Sequence, residues 1–189
     1  VAPDAKEEAR KNVAEAAGGY GKREVLVRVN SLESEWGAAD LTAAATSGAD
    51  AVLLPKVESA AQVREAEKLM DEAGAPKDMA LWCMMETPKG ILHAEEIAAS
   101  TPRLAGFVMG TSDLAKELQA EHTPMRLPMV TSLGLCLLAA RAYGLAIVDG
   151  VYLDLSDEAG FAEACTQGRE MGFDGKTLIH PKSIHTAND

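Results

Sequence analysis

The chain has little aromatic mass: three Phe, three Tyr and two Trp make up 4% of its 189 residues. Its interior must therefore be filled mainly by Leu, Val, Ile, Ala and Met. Basic residues are also short. Eighteen Lys and Arg against 29 Asp and Glu leave a net charge of −11, not the basic excess of a nucleic-acid-binding surface. No run approaches the ~18 consecutive apolar residues of a membrane-spanning helix, and Val1–Arg10 is too polar for a secretory signal. Cys83, Cys136 and Cys165 lie far apart with no C-x-x-C pair, so buried unpaired thiols and a reduced, cytoplasmic setting are expected. There is no G-x-G-x-x-G fingerprint. Gly175-Lys176-Thr177 imitates the end of a P-loop, but Glu170 stands where that motif needs its first Gly.

What is present is a repeated alternation, in a length that suits one domain. Six short apolar runs read as strands: 24–30, 49–57, 80–87, 104–111, 147–154 and 175–180. Most are apolar at consecutive positions, the habit of parallel strands covered on both faces. Helical patterns separate them at 36–47, 59–73, 89–99, 130–143 and 157–171, and a further helix, 5–17, comes first. In 59–73, Ala60, Val63, Ala66, Leu69 and Met70 share one face, with Ser59 placed as N-cap. Gly144 and Gly172 are placed as helix stops. The fold class expected is α/β with a parallel sheet.

Polar residues gather where several of these runs end: Arg28 and Asn30, Lys56, Glu86, Thr111 to Asp113, Asp154 and His180. That distribution favours a (β/α)8 TIM barrel, whose chemistry sits at the C-terminal ends of its strands. A closed barrel has eight strands in ~250 residues. Residues 1–189 are thus read as a single partial barrel domain, about six of eight strand–helix units, without the first two strands and a C-terminal segment.

Glu86 ends an apolar strand, where an unpaired charge is costly. It either caps the next helix or works with a partner. Asp113, ending the neighbouring strand ~5 Å away, is that partner or the N-cap of 114–118. Two carboxylates completed by waters suit a hard octahedral cation such as Mg2+. Arg28, between Val27 and Val29, must meet an anion: a structural carboxylate or an enolate oxygen. Lys56 divides evenly between site and scaffold. Among the histidines, His93 and Glu96 share a helical face but make a weak metal signal. His180 either approaches the site or bonds a loop carbonyl.

Five motifs then occur in order: Arg28-Val29-Asn30, Leu54-Pro55-Lys56-Val57-Glu58, Met85-Glu86-Thr87-Pro88-Lys89-Gly90, Gly110-Thr111-Ser112-Asp113-Leu114-Ala115 and Asp174-Gly175-Lys176-Thr177-Leu178-Ile179-His180-Pro181. Over essentially its whole length the chain resembles the HpcH/HpaI aldolase and citrate lyase β-subunit family, closest to the malyl-CoA lyase branch. The resemblance implies a (β/α)8 barrel in trimers or hexamers. It puts Glu86 and Asp113 on the family's Mg2+ ligands (Mn2+ being an alternative) and Arg28 on its substrate-binding, enolate-stabilising arginine. Gly110, Thr111 and Ser112 fall on the turn that holds the oxo-acid carboxylate. The family's acidic run after its second strand and its C-terminal catalytic Asp have no counterpart within residues 1–189.

The activity so implied is Mg2+-dependent carbon–carbon cleavage of a 3-hydroxyacyl-CoA such as (3S)-malyl-CoA into acetyl-CoA and glyoxylate. Citryl-CoA or citramalyl-CoA cleavage and malyl-CoA thioester hydrolysis are the alternatives within the family. From another class comes a non-catalytic subunit that binds a CoA ester. A phosphoenolpyruvate-utilising barrel shares Met85-Glu86-Thr87-Pro88 but needs phosphate-binding arginines that these residues do not show. Because CoA is polyanionic, a local basic rim is required, and Lys22, Arg23 and Arg126 are its candidates. The partners expected are the CoA ester, glyoxylate or another oxo-acid, and copies of the same chain, with neither nucleic acid nor membrane.

Overall fold

The computed structural model describes residues 1–189. Its six strands are β1 (Leu26–Arg28), β2 (Ala51–Leu54), β3 (Ala80–Met85), β4 (Leu104–Met109), β5 (Ala146–Asp149) and β6 (Gly175–Lys176). They form one sheet in chain order, every neighbouring pair parallel. Doubly wound sheets reverse their strand order at a switch point. This one never does, so its helices share one face and the other face becomes a concave lumen. The sheet is a curled half-barrel, six strands of the expected eight.

The helices are α1 (Lys6–Ala17), α2 (Gly37–Ala45), α3 (Ala60–Glu72), α4 (Pro88–Leu92), α5 (Ala94–Ala98), α6 (Thr111–Glu117), α7 (Val130–Ala142), α8 (Glu158–Met171) and α9 (Ile184–Asn188). Ser59 caps α3 by accepting from the Gln62 N–H at 3.3 Å. Gly172 ends α8 in the left-handed region at φ 100°, as expected of a C-terminal glycine. The helix expected over 89–99 is two short ones, α4 and α5. They break at His93, whose ψ of 15° leaves the helical range while its Nδ1 contacts the Glu58 carbonyl oxygen at 2.7 Å.

Strand alternation sorts the side chains into two layers. Val52, Leu54, Leu81, Cys83, Met85, Phe107, Met109 and Ile147 face the helices, in a core of 34 buried residues. Each fully buried aliphatic side chain there contributes about 1.5–3 kcal/mol. Ala51, Trp82 and Val108 face the lumen, with Leu26, Leu53, Met84, Ala146 and Val148 half-buried beside them. The Trp82 ring crosses Gly106, where a Cβ would lie 2.5 Å from it, and forms the floor beneath the C-terminal mouth.

Candidate active site

Even-numbered residues of β1 and β3 face the lumen, which sends Arg28, Met84 and Glu86 to one concave surface. Arg28 differs from its expected setting. Flanked by Val27 and Val29 it reads as buried, yet it is exposed, because the lumen is open and only the alternate residues Val27 and Val29 pack toward the helices. Its Nη1 lies 4.0 Å from the Met84 sulfur, and no carboxylate pairs with it within 4.0 Å. The structural salt bridge weighed for it is not formed.

Glu86 is 4% exposed. It does not cap the following helix; Thr87 does, its hydroxyl accepting from the Gly90 N–H at 3.0 Å. Instead, Glu86 Oε1 accepts the Lys56 main-chain N–H at 2.8 Å. The side chain crosses Gly110, where a Cβ would stand 2.4 Å from Glu86 Cβ and 2.6 Å from Oε2. Parallel register sets this up: Met85 pairs with Met109, which places the next residues, Glu86 and Gly110, side by side. Gly110 N–H itself donates to the Met85 carbonyl at 3.1 Å. Of the three residues expected to hold a carboxylate through the main chain, only Thr111 and Ser112 therefore keep a free N–H ahead of the first helical bond, Leu114 N–H to Gly110 O.

Asp113 is not the N-cap of its helix. The helix begins earlier, at Thr111, so Asp113 lies in the first turn, half-buried. Its carboxylate is near enough to act on Glu86. Burial raises the Glu86 carboxyl above its ordinary value, the Lys56 N–H opposes that, and the Asp113 charge raises it further against the weaker pull of Lys56 and Arg28. Neither carboxylate has a side-chain cation within 4.0 Å, and the residue before Asp113, Ser112, has a buried Oγ without a partner. Two close, unpaired carboxylates and an orphaned hydroxyl fit a small divalent cation completed by water and substrate. No third His, Cys, Asp or Glu joins them.

The remaining expectations fare less well. Lys22 and Arg23 precede β1 and so lie at the N-terminal end of the strands, opposite Glu86 and Asp113; they cannot form a rim at the site. Arg126 is engaged behind the sheet. Its Nη1 pairs with Asp149 at 2.6 Å and its Nε donates to Gln167 at 2.7 Å, while its Nη2 is buried without a partner and the residue lines a cavity with Thr111 and Lys176. The Lys56 side chain is exposed and forms no ion pair, while its main chain holds Glu86. His93 and Glu96 bond main-chain groups of the β2–α3 connection, Glu96 accepting the Ala60 N–H at 3.0 Å. His180 caps a short turn, its Nδ1 accepting from the Lys182 N–H at 3.2 Å.

Sequence reasoning missed a network at the correct end of β1. Lys6 Nζ donates to Asn30 Oδ1 at 3.1 Å, and Arg10 pairs with Asp40 at 2.7 Å. Asp40 also accepts from both nitrogens of Asn30. Burial raises the Asp40 carboxyl, but the hydrogen bonds from Asn30 and Arg10 outweigh it and leave the group below its ordinary value. This network fixes the chain two residues beyond Arg28. The i, i+4 spacing of Lys6 and Arg10 was the signal available for it.

Comparison with known proteins gives this architecture a context. The family model described as HpcH/HpaI aldolase/citrate lyase matches residues 1–181. A (3S)-malyl-CoA thioesterase of Cereibacter sphaeroides is 56% identical over 169 residues, 89% of this chain and 57% of that protein. The citrate lyase subunit beta of Escherichia coli K12 is 39% identical over 170 residues, 87% of this chain and 56% of that one. The chain thus spans little more than half the length of the curated relatives it matches. Among solved structures, RipC from Yersinia pestis superposes with a TM-score of 0.87 at 30% identity, covering 100% of this chain and 82% of that one. CitE from Mycobacterium tuberculosis, in complex with magnesium, acetoacetate and coenzyme A, gives 0.81 at 30% identity, covering 99% of this chain and 67% of that one. The relatives at 56% identity overturn the expectation of carbon–carbon cleavage. They are named for hydrolysis of the thioester, the alternative reading of the sequence.

Proposed function

We propose, from the premise that the chain belongs to the HpcH/HpaI aldolase/citrate lyase family, that it carries the metal-binding and substrate-orienting part of a Mg2+-dependent (3S)-malyl-CoA thioesterase. The observation that carries this reading is the convergence of Glu86, Asp113 and Arg28 on the lumen mouth, two carboxylates without a cation and a guanidinium without an anion.

Glu86 and Asp113 would hold Mg2+. When bound, the ion would supply Lewis-acid polarisation and a positive anchor for the acidic malyl group. The N–H groups of Thr111 and Ser112 face the same mouth and orient the carboxylate. Hydrolysis adds water to the thioester carbonyl carbon and breaks the carbon–sulfur bond, yielding malate and the CoA thiol. Negative charge grows on the carbonyl oxygen as water adds. Arg28, unpaired and already in place, stabilises it without reorganising. The Trp82 ring, packed over Gly106, forms the floor below.

The test is a product assay on (3S)-malyl-CoA. Free thiol and malate should appear together, EDTA should abolish the reaction, and Mg2+ or Mn2+ should restore it. Glyoxylate released without free thiol, or turnover in excess chelator, overturns the proposal.

Assembly and setting extend it. Leu92 on α4 and Leu138 on α7 are 77% and 70% exposed on helices that touch. We read them as a contact between copies of the chain in a trimer or hexamer, and a monomer in sedimentation velocity would remove that reading. No helix is long and apolar enough to cross a membrane. All three cysteines are free, which supports a reducing, cytoplasmic location. Residues 1–189 are proposed as one partial barrel domain.

A further inference from the structure

Lys56 adopts a left-handed backbone at φ 50°, a conformation that a residue with a Cβ enters rarely and at a cost. Its side chain does not explain this, being exposed and without hydrogen bond or ion pair. Its N–H does, because the left-handed turn aims that group at Glu86 Oε1, 2.8 Å away. The turn is not loose. A Cβ on Gly90 would meet the Val57 carbonyl oxygen at 2.3 Å, so α4 packs directly on the residue after Lys56. Lys89 pairs with Glu58 at 3.3 Å, and His93 contacts the Glu58 carbonyl. On the other flank, Gly110 presents a bare Cα to Glu86. A methyl there would collide with Glu86 Cβ as well as with Oε2, and moving the carboxylate tip alone would not relieve it.

We propose that Lys56 and Gly110 are positioning residues for Glu86, the first through its main-chain N–H and the second through its missing side chain. Together they fix one rotamer, engage Oε1 and leave Oε2 as the free oxygen. That makes Glu86 a one-oxygen donor, the mode suited to a small octahedral ion and not to one gripped by both carboxylate oxygens. The metal half of this inference rests on the proposed function; the clamp itself does not.

Two measurements test it. In calorimetric titration with MgCl2, Gly110→Ala should weaken binding about 10- to 100-fold, the range typical of groups that orient a ligand. Gly134→Ala on α7, where a Cβ meets nothing within 4 Å, should bind within about two-fold of the unaltered protein. A Gly110→Ala protein that binds Mg2+ as tightly as the unaltered one overturns the role of Gly110. The second measurement is hydrogen exchange at the Lys56 amide, which Glu86→Ala should accelerate about ten-fold or more. An unchanged rate overturns the role of Lys56 and still decides the matter if Gly110→Ala does not fold. If the unaltered protein takes up no Mg2+, the metal reading fails while the exchange result still judges the clamp.

Discussion

Two carboxylates sit at the C-terminal rim of the half-barrel, and the fold treats them in opposite ways. Asp149 ends β5 and points behind the sheet, 1% exposed. It pairs with Arg126 at 2.6 Å and Lys176 at 2.8 Å, and accepts the Gly150 N–H at 2.7 Å. Glu86 follows β3, points into the lumen, and has one N–H and no cation. Buried charge left without its counterion is disfavoured, and the raised Glu86 carboxyl records that cost. The paired acid is built into the scaffold. The unpaired one keeps a perturbed carboxyl facing the lumen, the kind of group that is a candidate for function.

The largest effect expected from this contrast is at Asp149. Asp149→Ala strands Arg126 and Lys176 behind the sheet and should cost on the order of 3–5 kcal/mol, read as a lower denaturation midpoint. A near-normal midpoint would mean the pairs are not the scaffold described. Arg28 comes next, because it is exposed and unpaired. Arg28→Lys should melt normally and bind Mg2+ but lose roughly 100–1000-fold in turnover, about 2.7–4 kcal/mol; early melting with normal turnover would remove it from the mechanism.

Glu86→Gln tests the other half of the comparison. Replacing an unpaired buried acid should change stability by less than about 1 kcal/mol, of either sign, while Mg2+ uptake is lost. A severe stability loss with metal binding intact would make Glu86 a second Asp149. Smallest of all is the exposed pair of Lys68 and Glu72, 3.6 Å apart on α3. Lys68→Ala should cost no more than about 0.5 kcal/mol. Thiol reactivity offers an independent check on the core. Burial pushes the Cys136 thiol up to about 12 and raises the buried Cys83 as well. A thiol reagent at pH 8 should thus label at most Cys165 before unfolding and all three cysteines after it.

Periodicity carried the strands and helices because burial on both faces of a parallel strand leaves consecutive apolar residues that survive in one dimension. It overran the strand ends, where pairing stops before the apolar run does: β6 pairs only over Gly175–Lys176, although the run continues to His180. It also missed the break at His93, which a contact 35 residues away, with Glu58, accompanies. Basic residues were the least legible. Lys22, Arg23 and Arg126 stand out by charge alone, and sequence does not say at which end of a strand, or on which side of a sheet, a charge will lie.

The sequence by itself determined the α/β alternation, the barrel-like end on which polar residues gather, and the positions of Arg28, Glu86 and Asp113 in or just after apolar runs. Each of these depends on local spacing or on the residue type that ends an apolar run. The tertiary structure alone decided which charges are paired. Parallel register sets Glu86 beside Gly110, the left-handed turn at Lys56 turns its N–H inward, and strand parity sends Asp149 to its cations and Glu86 to the lumen. Those are consequences of distances between residues far apart in the chain, and one-dimensional order carries no record of them.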